Sequence, residues 1–222
     1  VCSSDLYYSV LLWTGSIEQI MVNALNNTGV NLFHYRGYLG MSGLTPSDIL
    51  NLRNYFRIPF ATMLTCGTGN FGSTGADESE AFLRAGTPTQ PTGGIAGVGT
   101  ATSGTHTRYN NTMDQGMWYP LLKTGIGLAG DIVFSGKVQL YQTYYPSDWS
   151  NGIKFVYWNN LMGDPTTDIW VGMPTFTVVD HPDTVGVGTT SFTVTVTDSS
   201  GNPLADRYVC LWKGDETFVG GN

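Results

Sequence analysis

The stretch Ile58–Gly72, IPFATMLTCGTGNFG, decides the fold class. Its segment Ile58–Thr65 is apolar enough to predict a strand that is buried on both faces, as in a parallel sheet covered by helices. The run reaches Cys66 and then breaks into glycine, threonine and asparagine. In an open α/β sheet, ligands and catalytic groups collect at the carboxyl ends of the strands. Cys66 is therefore either a buried thiol that ends a core strand or a nucleophile at the edge of the sheet.

Helices and strands alternate on both sides of this stretch. The predicted elements are helices through Ser16–Asn27, from Thr45, through Asp77–Ala85 and through Asn111–Leu122, and strands at Val30–Tyr35, Ile58–Thr65 and Gly94–Val98. Such alternation predicts βαβ units, hence an α/β fold with a mainly parallel sheet flanked by helices.

The character of the sequence changes near Gly172-Met173-Pro174. Beyond that point valine and threonine alternate, for example from Phe192 to Val196, as in half-buried antiparallel strands. So few strands indicate only the start of an all-β sandwich. We expect an α/β domain over 1–172, incomplete at its N-terminus, and a sandwich over 173–222, incomplete at its C-terminus. The opening Val1–Asp5 has neither an initiator Met nor a signal-peptide pattern, which also predicts a fragment.

Composition excludes some classes of function. The chain has 222 residues, a net charge of −7, and only 10 Lys and Arg, which are scattered, so phosphate-driven binding of nucleic acid is not expected. No apolar run approaches the roughly 20 residues of a spanning helix. Charged residues make up 12%, whereas Gly, Thr, Asn and aromatic residues are frequent, which favours a secreted or cell-surface protein.

The three cysteines, Cys2, Cys66 and Cys210, lie far apart without the spacing of a metal site. Their odd number leaves at least one thiol free unless it pairs between chains. We therefore predict neither a zinc site nor an organic cofactor.

Several blocks resemble the gingipain family of cysteine peptidases, which have a caspase-like fold. They run in the same order here, over about Gly29 to Trp170: HYRGYLGMSGL, TPSDILNLRN, IPFATMLTCGTGNFG, ADESEAFLRAG, GGIAGVGTAT and NNLMGDPTTDIW. The tail is similar to the immunoglobulin-like domain that often follows such catalytic domains. The resemblance implies a bacterial, secreted endopeptidase that acts on protein or peptide substrates, and calcium binding in relatives.

The resemblance also implies site residues. Cys66 is the expected nucleophile, and the backbone near Gly37, Cys66 and Gly67 is the expected oxyanion site. The family places a histidine within a Gly-His-Gly stretch, but Tyr38 stands at that position here and Leu39 replaces the second glycine. A neutral phenol, with a pKa near 10, cannot form an ion pair with a thiolate as imidazolium does.

Another histidine could replace the missing one. His34 lies inside a predicted strand, which favours a packing role, and His181 lies in the linker to the second domain. His106 follows the third predicted strand, whose end should open on the same sheet edge as Cys66, so His106 is the candidate base. The alternative is a structural role, in which His106 only holds a surface loop in place.

Three interpretations remain open. The first is a cysteine endopeptidase that uses Cys66 and His106. The second is a catalytically inactive gingipain-like domain used for binding or surface assembly, which Tyr38 supports. The third is a glycan-binding platform of exposed aromatic side chains around Tyr144–Pro146 and Trp149.

The acidic residues Asp77–Glu80 are expected to cap a helix. Asp164 is expected to fix a turn, and Arg36 and Asp48 are candidates for shaping a substrate pocket.

Overall fold

The computed structural model describes residues 16–72, 74–172, 176–213 and 217–221. The chain divides into two compact units, with the boundary between Val171 and Gly172. The expectations for Val1–Asp5, Cys2 and Met173-Pro174 lie outside the described residues.

In chain order the first unit contains α1 (Ile17–Asn23), β1 (Leu32–Tyr35), α2 (Pro46–Leu50), β2 (Phe60–Met63), α3 (Glu78–Arg84), β3 (Gly86–Thr87), β4 (Gln90–Pro91), β5 (Ala96–Thr100), α4 (Thr107–Tyr119), α5 (Ala129–Tyr144), α6 (Trp149–Trp158) and β6 (Asn159–Met162). The second unit contains β7 (Thr177–Asp180), β8 (Thr195–Asp198), β9 (Val209–Lys213) and β10 (Thr217–Gly221).

The main sheet of the first unit has the strand order β1-β2-β5-β6. Strands β1, β2 and β5 are parallel, and β6 pairs antiparallel with β5 at the edge. The mainly parallel sheet flanked by helices is therefore confirmed. All residues of β2 and β5 are buried, because helices cover both faces of these central strands.

Alternation along β2 builds a hydrophobic core on each face of the sheet, since successive side chains of a strand point to opposite faces. Phe60 packs in one cluster with Met113 of α4 and Ile132 of α5. Ala61 and Met63 pack in another cluster, which includes Leu25, Ile49 and Phe82. The strand that ends at Cys66 is thus anchored from both sides.

Helix N-termini follow side-chain caps that the sequence contains. Thr45 and Asp48 form a capping box at α2, and the side chain of Asp77 accepts a hydrogen bond from the Glu80 N–H at α3. The predicted capping role of Asp77 is confirmed. Helix α4 begins at Thr107, earlier than the predicted Asn111, because His106 serves as its N-cap.

In the second unit, β7 pairs antiparallel with β8, and β9 pairs antiparallel with β10. Phe192 lies before β8, so the regular strand is shorter than the alternating sequence. The immunoglobulin-like sandwich stays a prediction.

Candidate active site

Cys66 lies just beyond the carboxyl end of β2, in the loop that follows this central strand. It is half-buried, and its Sγ lies 2.8 Å from Thr105 Oγ1 in the loop that follows β5. The loops after two adjacent parallel strands therefore meet at the thiol, as the position of Cys66 predicts. A half-buried sulfur with a hydroxyl partner is not the fully buried thiol of a core strand.

The loop after Cys66 packs tightly against β5. Gly67 has φ +74°, which a side chain disfavours, and a Cβ on Gly69 would lie 2.6 Å from the carbonyl carbon of Gly99. Gly67 is thus required because of its backbone torsion, and Gly69 because the backbone of β5 approaches it closely. This backbone path fixes the sulfur between β2 and β5.

The backbone of this loop also determines which N–H groups are left to bind an oxyanion. The Gly67 N–H donates a 2.9 Å hydrogen bond to the carbonyl of Thr102, so it is not a free donor for an oxyanion, contrary to expectation. The Cys66 N–H has no hydrogen-bond acceptor among the described residues. The Cys66 N–H therefore stays the candidate donor for an oxyanion in this loop.

The segment expected to carry the family histidine borders the same loop. The Gly37 carbonyl accepts a 2.9 Å hydrogen bond from Thr65 Oγ1, next to Cys66. Leu39 reaches towards Gly67, where an added Cβ would meet it at 3.7 Å. Tyr38 itself is 90% exposed, so its ring lies in solvent rather than against the sulfur.

His106 is exposed and lies next to Thr105, the hydroxyl partner of the thiol. Its Nδ1 accepts a 3.2 Å hydrogen bond from the Arg108 N–H, which caps α4, and its ring meets the ring of Tyr109 edge-on. The cap holds a lone pair on Nδ1, so protonation of this nitrogen breaks the cap. Among the described residues, no hydrogen bond joins the sulfur to an imidazole.

The other histidines have different partners. His34 Nδ1 lies 2.8 Å from Thr62 Oγ1, and its Nε2 lies 3.5 Å from Asp114 Oδ2. Its ring also packs against Trp118. His34 therefore joins β1 to β2 and α4. His181 is exposed in the second unit, with its Nδ1 3.1 Å from the carbonyl of Pro182.

Arg36 directly follows β1, and its guanidinium is turned inwards. Nη1 donates to the Leu64 carbonyl, Nη2 donates to Asn111 Oδ1 at 2.5 Å and to the Thr107 carbonyl at 3.5 Å, and Nε donates to Asn111 Oδ1 at 3.2 Å. Burial lowers the pKa of Arg36. Negative charge on the side chains of Asp114 and Cys66 acts against this shift and raises the pKa. These contacts direct the guanidinium into the protein, and a role of Arg36 in shaping a substrate pocket stays a prediction.

Two further carboxylates have local structural roles. Asp48 Oδ2 accepts from the N–H and the hydroxyl of Thr45, so this candidate for a substrate pocket serves as a helix cap. Asp164 Oδ1 accepts from the N–H and the hydroxyl of Thr166, which confirms the predicted turn. The described residues contain no group of three or more His, Cys, Asp and Glu side chains that could hold a metal ion.

The proposed aromatic platform is divided between interior and surface. Tyr144 packs against Tyr109 and hydrogen-bonds to Thr112. Tyr145 is exposed, but it stacks on Tyr141, with ring centroids 4.9 Å apart. Trp149 meets the rings of both Tyr141 and Tyr145 edge-on, and the glycan platform stays a prediction.

Comparison with known proteins gives the family. The family model of peptidase family C25 matches residues 5–170. The chain belongs to peptidase family C25. Its α/β fold is also found in gingipain R, an Arg-specific cysteine proteinase, with a TM-score of 0.62 and 21% identity over 82% of this chain and 43% of that one.

A second solved structure gives the same result. The complex of the pro- and mature domains of this proteinase from Porphyromonas gingivalis matches with a TM-score of 0.64 and 21% identity, over 82% of the C25 chain and 44% of the other. The chain thus spans less than half the length of these proteins. The comparison with curated proteins finds no match. None of the helices in the described ranges is both long and apolar enough to cross a bilayer.

Sequence reasoning missed two residues of this site. Thr105, which bonds the sulfur, is not among the predicted site residues, and Arg36 is predicted only as a candidate for a substrate pocket. The available signal was position, because Arg36 follows β1 as Cys66 follows β2, and parallel strands end at a common edge.

Proposed function

We propose that the C25 domain is a secreted cysteine endopeptidase in which Cys66 is the nucleophile. The observation that carries this proposal is the half-buried Cys66 Sγ at the carboxyl end of the central strand, 2.8 Å from the Thr105 hydroxyl. Membership of a peptidase family points to protein or peptide substrates. Secretion is supported by the low charge content of 12%.

The reaction would proceed through a thioester. Cys66 Sγ attacks the peptide carbonyl carbon, a sulfur–carbon bond forms, and the carbonyl oxygen gains the negative charge that the Cys66 N–H can stabilise. The carbon–nitrogen bond then breaks, and the amine leaves with the proton that the thiol gave up. Water next attacks the thioester, which releases the carboxylate product and restores the thiol.

His106 is the candidate for carrying that proton, because it neighbours the hydroxyl partner of the sulfur. A protonated Nδ1 cannot accept from the Arg108 N–H, so the imidazole has to leave the helix cap in each cycle. The proposal thus includes a ring rotation at the start of α4.

The first prediction tests both residues on an unstructured protein substrate. Cys66→Ala abolishes cleavage, because it removes the nucleophile, and His106→Ala lowers kcat by about 100-fold or more, as loss of a general base does. His181→Ala, in the second unit, is the matched control and leaves kcat unchanged. Cleavage that persists in Cys66→Ala refutes the nucleophile, and an unchanged kcat in His106→Ala refutes the base.

A second candidate function has its own observation. Tyr38, at the family histidine position, is 90% exposed, and no imidazole bonds the sulfur within the described part of the chain. This favours a C25 domain that has lost proteolysis and serves binding or surface assembly. Thiol-dependent cleavage that disappears in Cys66→Ala excludes it, whereas a wild-type chain without cleavage of any tested peptide supports it.

A further inference from the structure

We propose that Arg36 is a fixed cation that stabilises the negative charge on Cys66 once the thiol gives up its proton. This inference rests on the proposed function, since it assigns a positioning residue to the same thiol. It is tested through the reactivity of the sulfur, which is measured without any cleavage of peptide.

The guanidinium is held between the two segments that meet at the sulfur. It donates to the carbonyl of Leu64, two residues before Cys66, and to the carbonyl of Thr107, two residues after Thr105. Arg36 therefore bridges the end of β2 and the start of α4. Cys66 and Thr105, which share the Sγ–Oγ1 hydrogen bond, are each two residues from one of these anchor points.

The position of the charge is fixed by its remaining donors. Nε and Nη2 share Asn111 Oδ1, at 3.2 and 2.5 Å. A planar guanidinium with bonds along both edges is held far more rigidly than an ammonium on a flexible stem. The cation therefore needs no rearrangement to act on the thiol.

The charge of Arg36 also lacks a direct carboxylate partner. Among the described residues the ion pairs are His34–Asp114, Arg84–Glu80 and Arg108–Asp148, and none includes Arg36. Its acceptors are uncharged carbonyl and amide oxygens, which satisfy its hydrogen bonds without neutralising it. Asp114 and Cys66 both interact electrostatically with it. Asp114 acts more strongly on Arg36 and also lies 3.5 Å from His34, so a charge on Cys66 is the second negative charge available to Arg36.

His106 is a poor alternative cation in this geometry. Its Nδ1 accepts from the Arg108 N–H, and an imidazolium would place a second N–H opposite that donor. The permanent positive charge is thus that of Arg36, directly after β1, whereas proton transfer is a separate step.

The test compares iodoacetate, an anion, with iodoacetamide, its neutral analogue, as alkylating agents at pH 7. Peptide mapping by mass spectrometry separates Cys66 from the other cysteines of the full chain. In Arg36→Gln we expect iodoacetamide to react about fivefold more slowly, and the iodoacetate-to-iodoacetamide rate ratio to fall by a similar factor, because one adjacent charge has this order of effect. Arg36→Lys keeps the charge, so its rate ratio stays closer to that of the wild type.

Arg57→Gln is the matched control. Arg57 also donates to three backbone carbonyls, those of Asn26, Asn27 and Asn54, none of which belongs to the segments that meet at Cys66. Its loss should destabilise the fold without changing the rate ratio. Equal ratios in Arg36→Gln and wild type refute the inference, and so does an equal fall of the ratio in Arg57→Gln.

The wild-type chain provides a test that does not depend on folding of a variant. A net charge of −7 repels iodoacetate, so without a local cation the rate ratio rises as salt screens the repulsion. With Arg36 beside the thiolate the ratio falls with added salt. A rising ratio would overturn the proposal even if Arg36→Gln does not fold.

Discussion

At the scale of single residues, the hydroxyl of Thr105 is the closest polar partner of the thiol. Either atom can be the donor in this 2.8 Å contact, and once the sulfur has lost its proton the hydroxyl is the donor. Thr105 and Arg36 then act on Cys66 in the same direction. Their effects should be separable, since one is a hydrogen bond and the other a charge.

Replacement of Thr105 by valine tests this hydrogen bond. We expect Thr105→Val to slow alkylation of Cys66 by iodoacetamide at pH 7 by about threefold to tenfold, the range for a lost hydrogen bond to a charged group. Thr105→Ser keeps the hydroxyl and should react at nearly the wild-type rate. Valine with undiminished reactivity would show that the contact has no effect on the sulfur.

At the scale of elements, the capping side chain of α3 predicts how stability depends on pH. Asp77 is buried, and this burial raises its pKa above the usual value, although hydrogen bonds from Glu80 N–H and Ser79 oppose the shift. Asp164 is the opposite case, because its hydrogen bonds with Thr166 lower its pKa. The two carboxyls should therefore give opposite pH dependences.

The test compares the free energy of unfolding of the wild type with that of Asp77→Asn and that of Asp164→Asn. For Asp77 the folded-state pKa exceeds the unfolded one, so its stabilisation is complete below about pH 4 and is lost as pH rises through the folded pKa. The free energy of unfolding of wild type relative to Asp77→Asn should therefore decrease from pH 4 to pH 7. Relative to Asp164→Asn it should increase with pH.

Two controls separate charge from capping. Asn is also a good N-cap, whereas Asp77→Ala should cost about 1 kcal/mol at any pH because the cap is lost. Urea unfolding at several pH values measures all three variants. A wild-type advantage over Asp77→Asn that grows with pH contradicts the assigned shift.

Some of the helices and strands could be predicted from the sequence, and others could not. Ile58–Thr65 reveals β2, because a strand buried on both faces is continuously apolar. Helix α5 was not predicted individually, although its buried Ile132, Val133, Gly136 and Leu140 follow a helical period. The antiparallel direction of β6 was not predicted either, since strand direction depends on the connection rather than on the short sequence Asn159–Met162.

The site was less predictable than the fold. The position of Cys66 at a strand end follows from its local sequence, but the bond of Gly67 to Thr102 and the inward turn of Arg36 depend on contacts between loops distant in sequence. Such contacts produce neither a hydrophobic periodicity nor a sequence motif from which they could be predicted. The helix-capping role of His106 was readable in principle, since an acceptor side chain directly before a helix is an N-cap.

At the scale of the whole molecule, the proposed site lies entirely in the first unit. Its residues span Arg36 to Asn111, and the two core clusters that anchor β2 contain residues from Leu25 to Ile169. The unit boundary follows at Val171. The first unit thus contains both the thiol and the packing that positions it.

A chain that ends at Val171 should therefore keep the thiol as it is in the full chain. We expect the alkylation rate of Cys66 and the iodoacetate-to-iodoacetamide ratio to agree with those of the full chain within about twofold, because the charge, the hydroxyl and the core clusters are all retained. Circular dichroism of the shortened chain verifies that it is folded. A folded chain in which Cys66 reacts several times faster or slower would mean that the second unit acts on the site. The second unit would then be part of the catalytic machinery rather than a separate module.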